Sequence, residues 1–181
     1  MIRTLLHRSA TSFENRYDYD AGYMHHVIDT STNAGLRLAA FQMLSQYRGP
    51  KHGQAVWAGT LFGSTLDGDC GPCAQLVVDM AVQAGANPEK LRLCAIGQAE
   101  QAGSLGLGFR FAQAAILDAP EADDLRAQID QKFGPQTVIA AAFAAASGRM
   151  YPVLKRSLGM GKACQRLQFA GIDTPLQTRA T

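Results

Sequence analysis

Two cysteines three residues apart, in Asp69-Cys70-Gly71-Pro72-Cys73, are the residues of this chain best suited to chemistry. Pro72 fits the first turn of a helix, where a missing N–H costs little, so the pair opens a helix. Sulfurs at that spacing can reach each other and close a disulfide. The unpaired N–H groups and the dipole of the helix start favour a thiolate there. A thiolate, not a thiol, attacks a disulfide or a peroxide. Three readings compete. Half of a zinc site needs two further ligands at metal spacing. The chain has no second C-x-x-C and no histidine pair at i, i+4, and His52, Cys94 and Cys164 stand isolated. The bland reading is two small helical residues without chemistry. The third, a thiol redox pair formed by Cys70 and Cys73, fits the motif best and implies no metal and no cofactor.

The same four residues occur in thioredoxins, where they follow a buried strand and usually a Trp. Here the stretch from Trp57 to Asp69 is rich in Gly, Thr and Ser at helical spacing, and no alternating strands follow. The thioredoxin fold is therefore rejected. Other polar groups read as structural. Asp69 is expected to cap the helix, Asp79 falls on its far side, and Gln75 either bonds a sulfur or faces solvent. His25 and Asp29 stand at i, i+4, a pairing that can orient an imidazole. His25 and His26 become candidate bases only if the N-terminal helix folds over the cysteines, and surface histidines are the favoured reading. His52 is read the same way. Cys94, beside Leu91 and Ala95, behaves as a small hydrophobe. Cys164 is ordinary, and Trp57 belongs to a core or an interface.

The elements that must position the pair are helical. A loose or short helical lead-in occupies residues 1–17, and a helix is plausible around Tyr23 to Ile28. Thr32 or Asn33 then caps another, in which Leu36, Ala39, Ala40, Met43, Leu44 and Tyr47 follow the apolar i, i+3, i+4 pattern. Gln54 to about Leu66 carries Val56, Trp57, Thr60, Leu61 and Ser64 on one stripe. Gly59 and Gly63 weaken that helix but permit close approach to a neighbour. Gly71 to Ala84 is the clearest helix. Asn87-Pro88-Glu89 opens a short one through Cys94. Residues 106–117, a segment opened by Pro120-Glu121, and a long run from Gln136 to Tyr151 with a kink at Pro152 complete the set. Strand signals are scarce and the tail after Gly171 reads as frayed, so the chain is assigned to the all-α class.

The bulk numbers agree with a globular chain. Of 181 residues, 47% are apolar and 18% charged, enough for a real core and too apolar for disorder. A net charge of +2 gives no case for nucleic acid or an acidic membrane. Lys155, Arg156, Lys162 and Arg166 form the tightest basic group and read as a solvated face. The N-terminus lacks the apolar core of a secretory signal, and the longest apolar run, Val138 to Ala146, is far short of a membrane span. A cytoplasmic protein is the expectation, and there four cysteines are not a disulfide framework.

The run DCGPCAQLVVDMAVQAGANPEKL resembles the C-x-x-C helix of carboxymuconolactone decarboxylase/AhpD-like domains, with their Gly turn and short helix. LGFRFAQAAI and PEADDLRAQIDQKFGPQTVIAAAFAAASGRMYPVLKRSLG resemble that family's closing helices, with Arg149 and Leu158-Gly159 matching its pattern. The resemblance spans residues 52–161. It divides the chain into a helical lead-in (1–50), an AhpD-like core (51–165) and a flexible tail (166–181). It implies an all-α fold, a homo-oligomer, and peroxide reduction or disulfide transfer. Cys73 would attack a small hydroperoxide or disulfide and Cys70 would resolve it, with a dithiol such as a lipoyl group, or a thiol protein, as reductant. Two positions depart from the family. Its His four residues after the second cysteine is Val77 here, and its Glu about twelve residues before the first is Ala58. Those groups relay the proton that activates the thiol. Their loss supports a rival class, a non-catalytic helical oligomer or redox sensor; a third reading is a small-molecule enzyme using the same inter-helical pocket with different groups.

Overall fold

The computed structural model describes residues 1–161 and 166–176; Lys162, Cys164 and the tail 177–181 lie outside the described residues. The fold is all-α apart from one hairpin. Its axis is α4 (Gln54–Asp67), in which every residue from Val56 to Thr65 is buried. A helix with few charged side chains can be enclosed on all sides. Its main neighbours are α7 (Ser104–Ile116) and α9 (Pro135–Gly148). Glycines set how closely these helices approach. A Cβ on Gly59 would collide with the Leu105 carbonyl, and one on Gly108 with the Val56 carbonyl. The glycines that weaken α4 as an isolated helix are thus what lets two backbones touch.

α5 (Gly71–Gln83) lies beside α4 and presents Ala74, Val77, Val78 and Ala81 to the core. α6 (Pro88–Ala95) starts as expected, the Asn87 side chain accepting from the N–H groups of Glu89 and Lys90. α8 (Glu121–Phe133) carries Glu121, Asp123 and Asp124 in its first turn and buries Leu125 and Ile129. α9 buries an alanine face, and the chain bends at Arg149 into α10 (Met150–Ser157). Taken together, Pro135–Ser157 is long and apolar enough to cross a membrane by length and composition alone. In the fold, Thr137, Ala140, Ala141 and Ala144 of that run are buried inside the bundle.

The N-terminal segment is helical, and its first helix is longer than the loose or short lead-in expected. α1 (Ile2–Tyr17) is a full helix, followed by α2 (Gly22–Thr30) and α3 (Thr32–Ser45). Ser31, not Thr32 or Asn33, caps α3 by accepting from the Ala34 N–H. α1 ends at Asp18, which takes φ 47°, and the link beyond it turns inward to bury Tyr19 and Ala21. These residues pack with Tyr23, Met24 and Ile28 against Tyr151, Leu154 and Leu158, so the N-terminal helices dock on α10. The apolar stripe of α3 faces outward instead: Leu36, Leu44 and Tyr47 are exposed and Met43 is 79% exposed.

The second departure is a β-hairpin where a flexible tail is expected. β1 (Arg166–Phe169) pairs antiparallel with β2 (Ile172–Pro175), Phe169 facing Ile172 across the turn. Ala170 and Gly171 both take positive φ, as a two-residue turn of this kind requires. Leu167 and Phe169 insert into the core, and Phe169 meets Phe62 edge to face. Four residues per strand are too few for a period-2 pattern to stand out.

Candidate functional site

Cys70 occupies the N-cap position of α5 in extended conformation, and Cys73 follows on the first turn with Pro72 between them. The N-cap position falls to Cys70, whose side chain makes no capping bond, and not to Asp69 as expected; Asp69 holds φ 49° in the turn before the pair. The turn is fixed by the junction of α9 and α10. Arg149 pairs with Asp67 at 3.0 Å, and Arg156 donates to the Gly68 carbonyl at 2.5 Å. The Sγ atoms of Cys70 and Cys73 lie 2.7 Å apart, both buried, with Cys70 donating. That is closer than two sulfurs in simple contact and is geometry from which a disulfide forms with little movement.

Cys73 also meets a phenol. The Tyr19 hydroxyl lies 3.6 Å from its Sγ, and Lys155 donates from Nζ to the Tyr19 oxygen at 3.2 Å. Lys155 is 4% exposed and sits over the faces of Tyr19 and Tyr23, at 4.8 and 5.2 Å from the ring centroids. The expectation of a solvated basic face therefore fails at Lys155. Its helix, α10, turns Pro152 and Lys155 into the bundle while Arg156 reaches back to the turn before Cys70.

Cys73 opens onto a cavity of about 480 Å³ bordered by α1, α2, α3 and α5. Leu6, Phe13, Met24, Leu38 and Met80 line it, with Cys73 and Tyr19 in its wall. Cys70 is not among the residues that line it.

The electrostatics separate two ionisations. The Cys70 thiol, and then burial, push the ionisation of Cys73 well above the usual thiol range, while Tyr19 and Lys155 act the other way. Two thiols in contact ionise as a pair, and once one proton leaves, the remaining S–H is shared with the thiolate. Tyr19 and Lys155 are thus the groups of the site that favour charge on Cys73 against that upward push. Burial, reinforced by Tyr23 and Cys73, holds the Tyr19 proton on far above the ordinary phenol range.

No family model, no curated protein and no solved structure matches this chain. The site therefore rests on its own geometry. Ala58 and Val77 are buried apolar side chains, as their types dictate, and Val77 lines the cavity. The N-terminal segment does fold over the cysteines, but it brings Tyr19 rather than a histidine. His25 pairs with Glu14 at 3.2 Å, not with Asp29, and its ring stacks on His7, Nδ1 to Nδ1 at 2.7 Å. Asp29 instead joins His7 and Arg3. His26 is exposed, and His52 bonds the Phe133 carbonyl. Gln75 touches neither sulfur: its amide exchanges hydrogen bonds with both backbone groups of Gln168 and latches the hairpin to α5. Cys94 is buried beside Leu91, its thiol pushed up to about 12 by burial. Trp57 is a core residue with Arg48 over its ring at 4.8 Å. Tyr19 was missed because a lone Tyr in a link between helices carries no motif. Among the described residues, no group of three or more metal-ligating side chains occurs.

Proposed function

We propose that this protein is a thiol–disulfide oxidoreductase of the AhpD-like kind that reduces small hydroperoxides. The observation that carries the reading is the 2.7 Å contact between Cys70 and Cys73 with Cys73 in a cavity wall. The Cys73 thiolate attacks the terminal oxygen of a hydroperoxide. The O–O bond breaks, an alcohol leaves, and Cys73 becomes a sulfenic acid. The Cys70 sulfur then attacks Cys73, a disulfide forms and water departs. An external dithiol returns the pair to its reduced state by exchange. In a reducing cytoplasm the pair rests as the dithiol.

A homo-oligomer is part of this reading. Leu36, Met43 and Leu44 of α3, Ile139 and Phe143 of α9 and Val153 of α10 are all exposed, and the Tyr47–Phe143 ring contact joins the α3 and α9 faces. Exposed apolar surface of that kind marks an association face.

The test is trapping of the reduced protein with iodoacetamide across pH, with peptide mass spectrometry, before and after one equivalent of cumene hydroperoxide. The expected result is fast alkylation of Cys73 near neutral pH and a Cys70–Cys73 disulfide after peroxide. Slow, thiol-like alkylation and no disulfide would overturn the reading. That outcome would favour a non-catalytic helical oligomer, to which the apolar Ala58 and Val77 point.

A further inference from the structure

We infer that Tyr19 and Lys155 are the acid–base unit of the cysteine pair: Tyr19 is the catalytic proton donor to the leaving oxygen, and Lys155 is the residue that positions and recharges it. The inference rests on the peroxide-reducing reading above and supplies the proton relay that Ala58 and Val77 cannot.

The hydrogen-bond directions follow from donor counting. A lysine ammonium has three donors and no acceptor. Lys155 therefore donates to the Tyr19 oxygen, at 3.2 Å, and the single Tyr19 proton is shared between the Cys73 sulfur, at 3.6 Å, and the neighbouring Tyr23 hydroxyl. Cys70 donates to the same sulfur at 2.7 Å. With the charge on Cys73, its sulfur accepts from two sides, the arrangement suited to a thiolate. The positive charge needs a partner as well. A buried ammonium without a counter-charge is costly. No ion pair between Lys155 and a carboxylate occurs among the described residues. The two tyrosine faces compensate it in part. The thiolate of the cysteine pair completes the compensation. The titratable groups facing this unit come from three directions: Tyr23 on α2, Cys70 and Cys73 on α5, and Tyr151, which interacts with Tyr23, on α10.

The proton count closes. At rest the site holds one thiolate, one thiol and one ammonium. Cys73 sulfur takes the terminal oxygen and its hydrogen from ROOH, and RO⁻ leaves with the O–O electron pair. Tyr19 gives RO⁻ its proton, releasing ROH, and recovers a proton from Lys155, which becomes the neutral amine. Cys70 then expels hydroxide from Cys73; the proton that Cys70 loses makes it water. The products are a disulfide, ROH, water and neutral Lys155, with two electrons moved from sulfur to oxygen. Reduction by a dithiol delivers two protons, one to Lys155 and one to Cys70. The position of Tyr19, in the cavity wall beside Cys73, is where a leaving oxygen emerges.

Three variants test this: Tyr19→Phe, Lys155→Met and Lys155→Arg. Two readouts apply: the pH profile of Cys73 alkylation, and single-turnover disulfide formation with cumene hydroperoxide against perbenzoic acid. A carboxylate leaves from a peracid without needing a proton, so it bypasses a general acid. Lys155→Met should raise the alkylation midpoint by about one pH unit or more, and Lys155→Arg should restore it. Tyr19→Phe should slow cumene hydroperoxide by about 10²-fold, the usual yield of a general acid, and perbenzoic acid by much less. An unchanged alkylation midpoint in Lys155→Met overturns the inference. So does an equal loss with both oxidants in Tyr19→Phe, a variant that keeps the ring and its packing. If Lys155→Met does not fold, the arginine variant still decides, because an equally large midpoint rise there means charge is not what matters. Wild-type protein that alkylates readily yet forms no disulfide sinks the peroxide reading, while the alkylation profiles still judge the charge pairing.

Discussion

Cys70 and Cys73 differ in what surrounds them, and the proposed roles follow from that difference. Cys73 borders the cavity and accepts hydrogen bonds; Cys70 lies behind it, at the helix cap, and donates. Cys70→Ser should leave the first step intact and stop the second. The expected outcome is consumption of one equivalent of hydroperoxide, with a sulfenic acid on Cys73 that dimedone captures, and no further turnover. Cys73→Ser should consume none. Dimedone labelling of Cys70 in the Cys73→Ser protein would reverse the assignment. At this scale the sulfur pair was legible because its spacing and proline are local signals. Tyr19 and Lys155 were not, because they lie 136 positions apart and meet only through folding. Lys155 read as solvated beside Arg156, since sequence gives the charge of a residue but not which turn of a helix faces in.

Helix starts and packing glycines carry most of the order of the elements. Asn87 and Pro88 announced α6, and Gly59 announced close contact, since both effects are local. Gly59→Ala should therefore cost more than its gain in helix propensity. The added methyl meets the Leu105 backbone, which cannot yield as a flexible side-chain end would. Overpacking of this sort costs about 1–3 kcal/mol. Urea denaturation of the variant should show a lower midpoint with an unchanged slope. A variant as stable as wild type would mean that α4 and α7 separate without penalty. The outward stripe of α3 marks the limit of periodicity: the pattern in Leu36, Met43 and Leu44 identifies an apolar face, but not whether this chain or another covers it.

Over the whole molecule, buried groups that must stay protonated set the alkaline limit of stability. Burial raises Cys94 to about 12 and Tyr151 to about 12, and it pushes Tyr19 and Tyr23 further in the same direction. These acids are neutral in the folded state and ionise near 9 (Cys) and 10 (Tyr) when exposed. Raised folded values of this kind give stability that is fully present below the unfolded pKa and is lost as pH rises through the folded one. The contribution of these groups should therefore be level up to pH 9 and fall between 9 and 12, because the unfolded chain there binds fewer protons than the native one. Each such group contributes a slope of about 1.4 kcal/mol per pH unit. The three tyrosines lie where the N-terminal helices dock on α10, so α1 and α2 should detach before the α4–α7–α9 core opens. Amide hydrogen exchange at pH 10.5 should show protection lost first in residues 2–30. Cys94→Ala should flatten only the part of the slope that begins near pH 9, and Tyr151→Phe only the part that begins near pH 10. An alkaline profile in which neither variant changes the slope would place the weak point elsewhere.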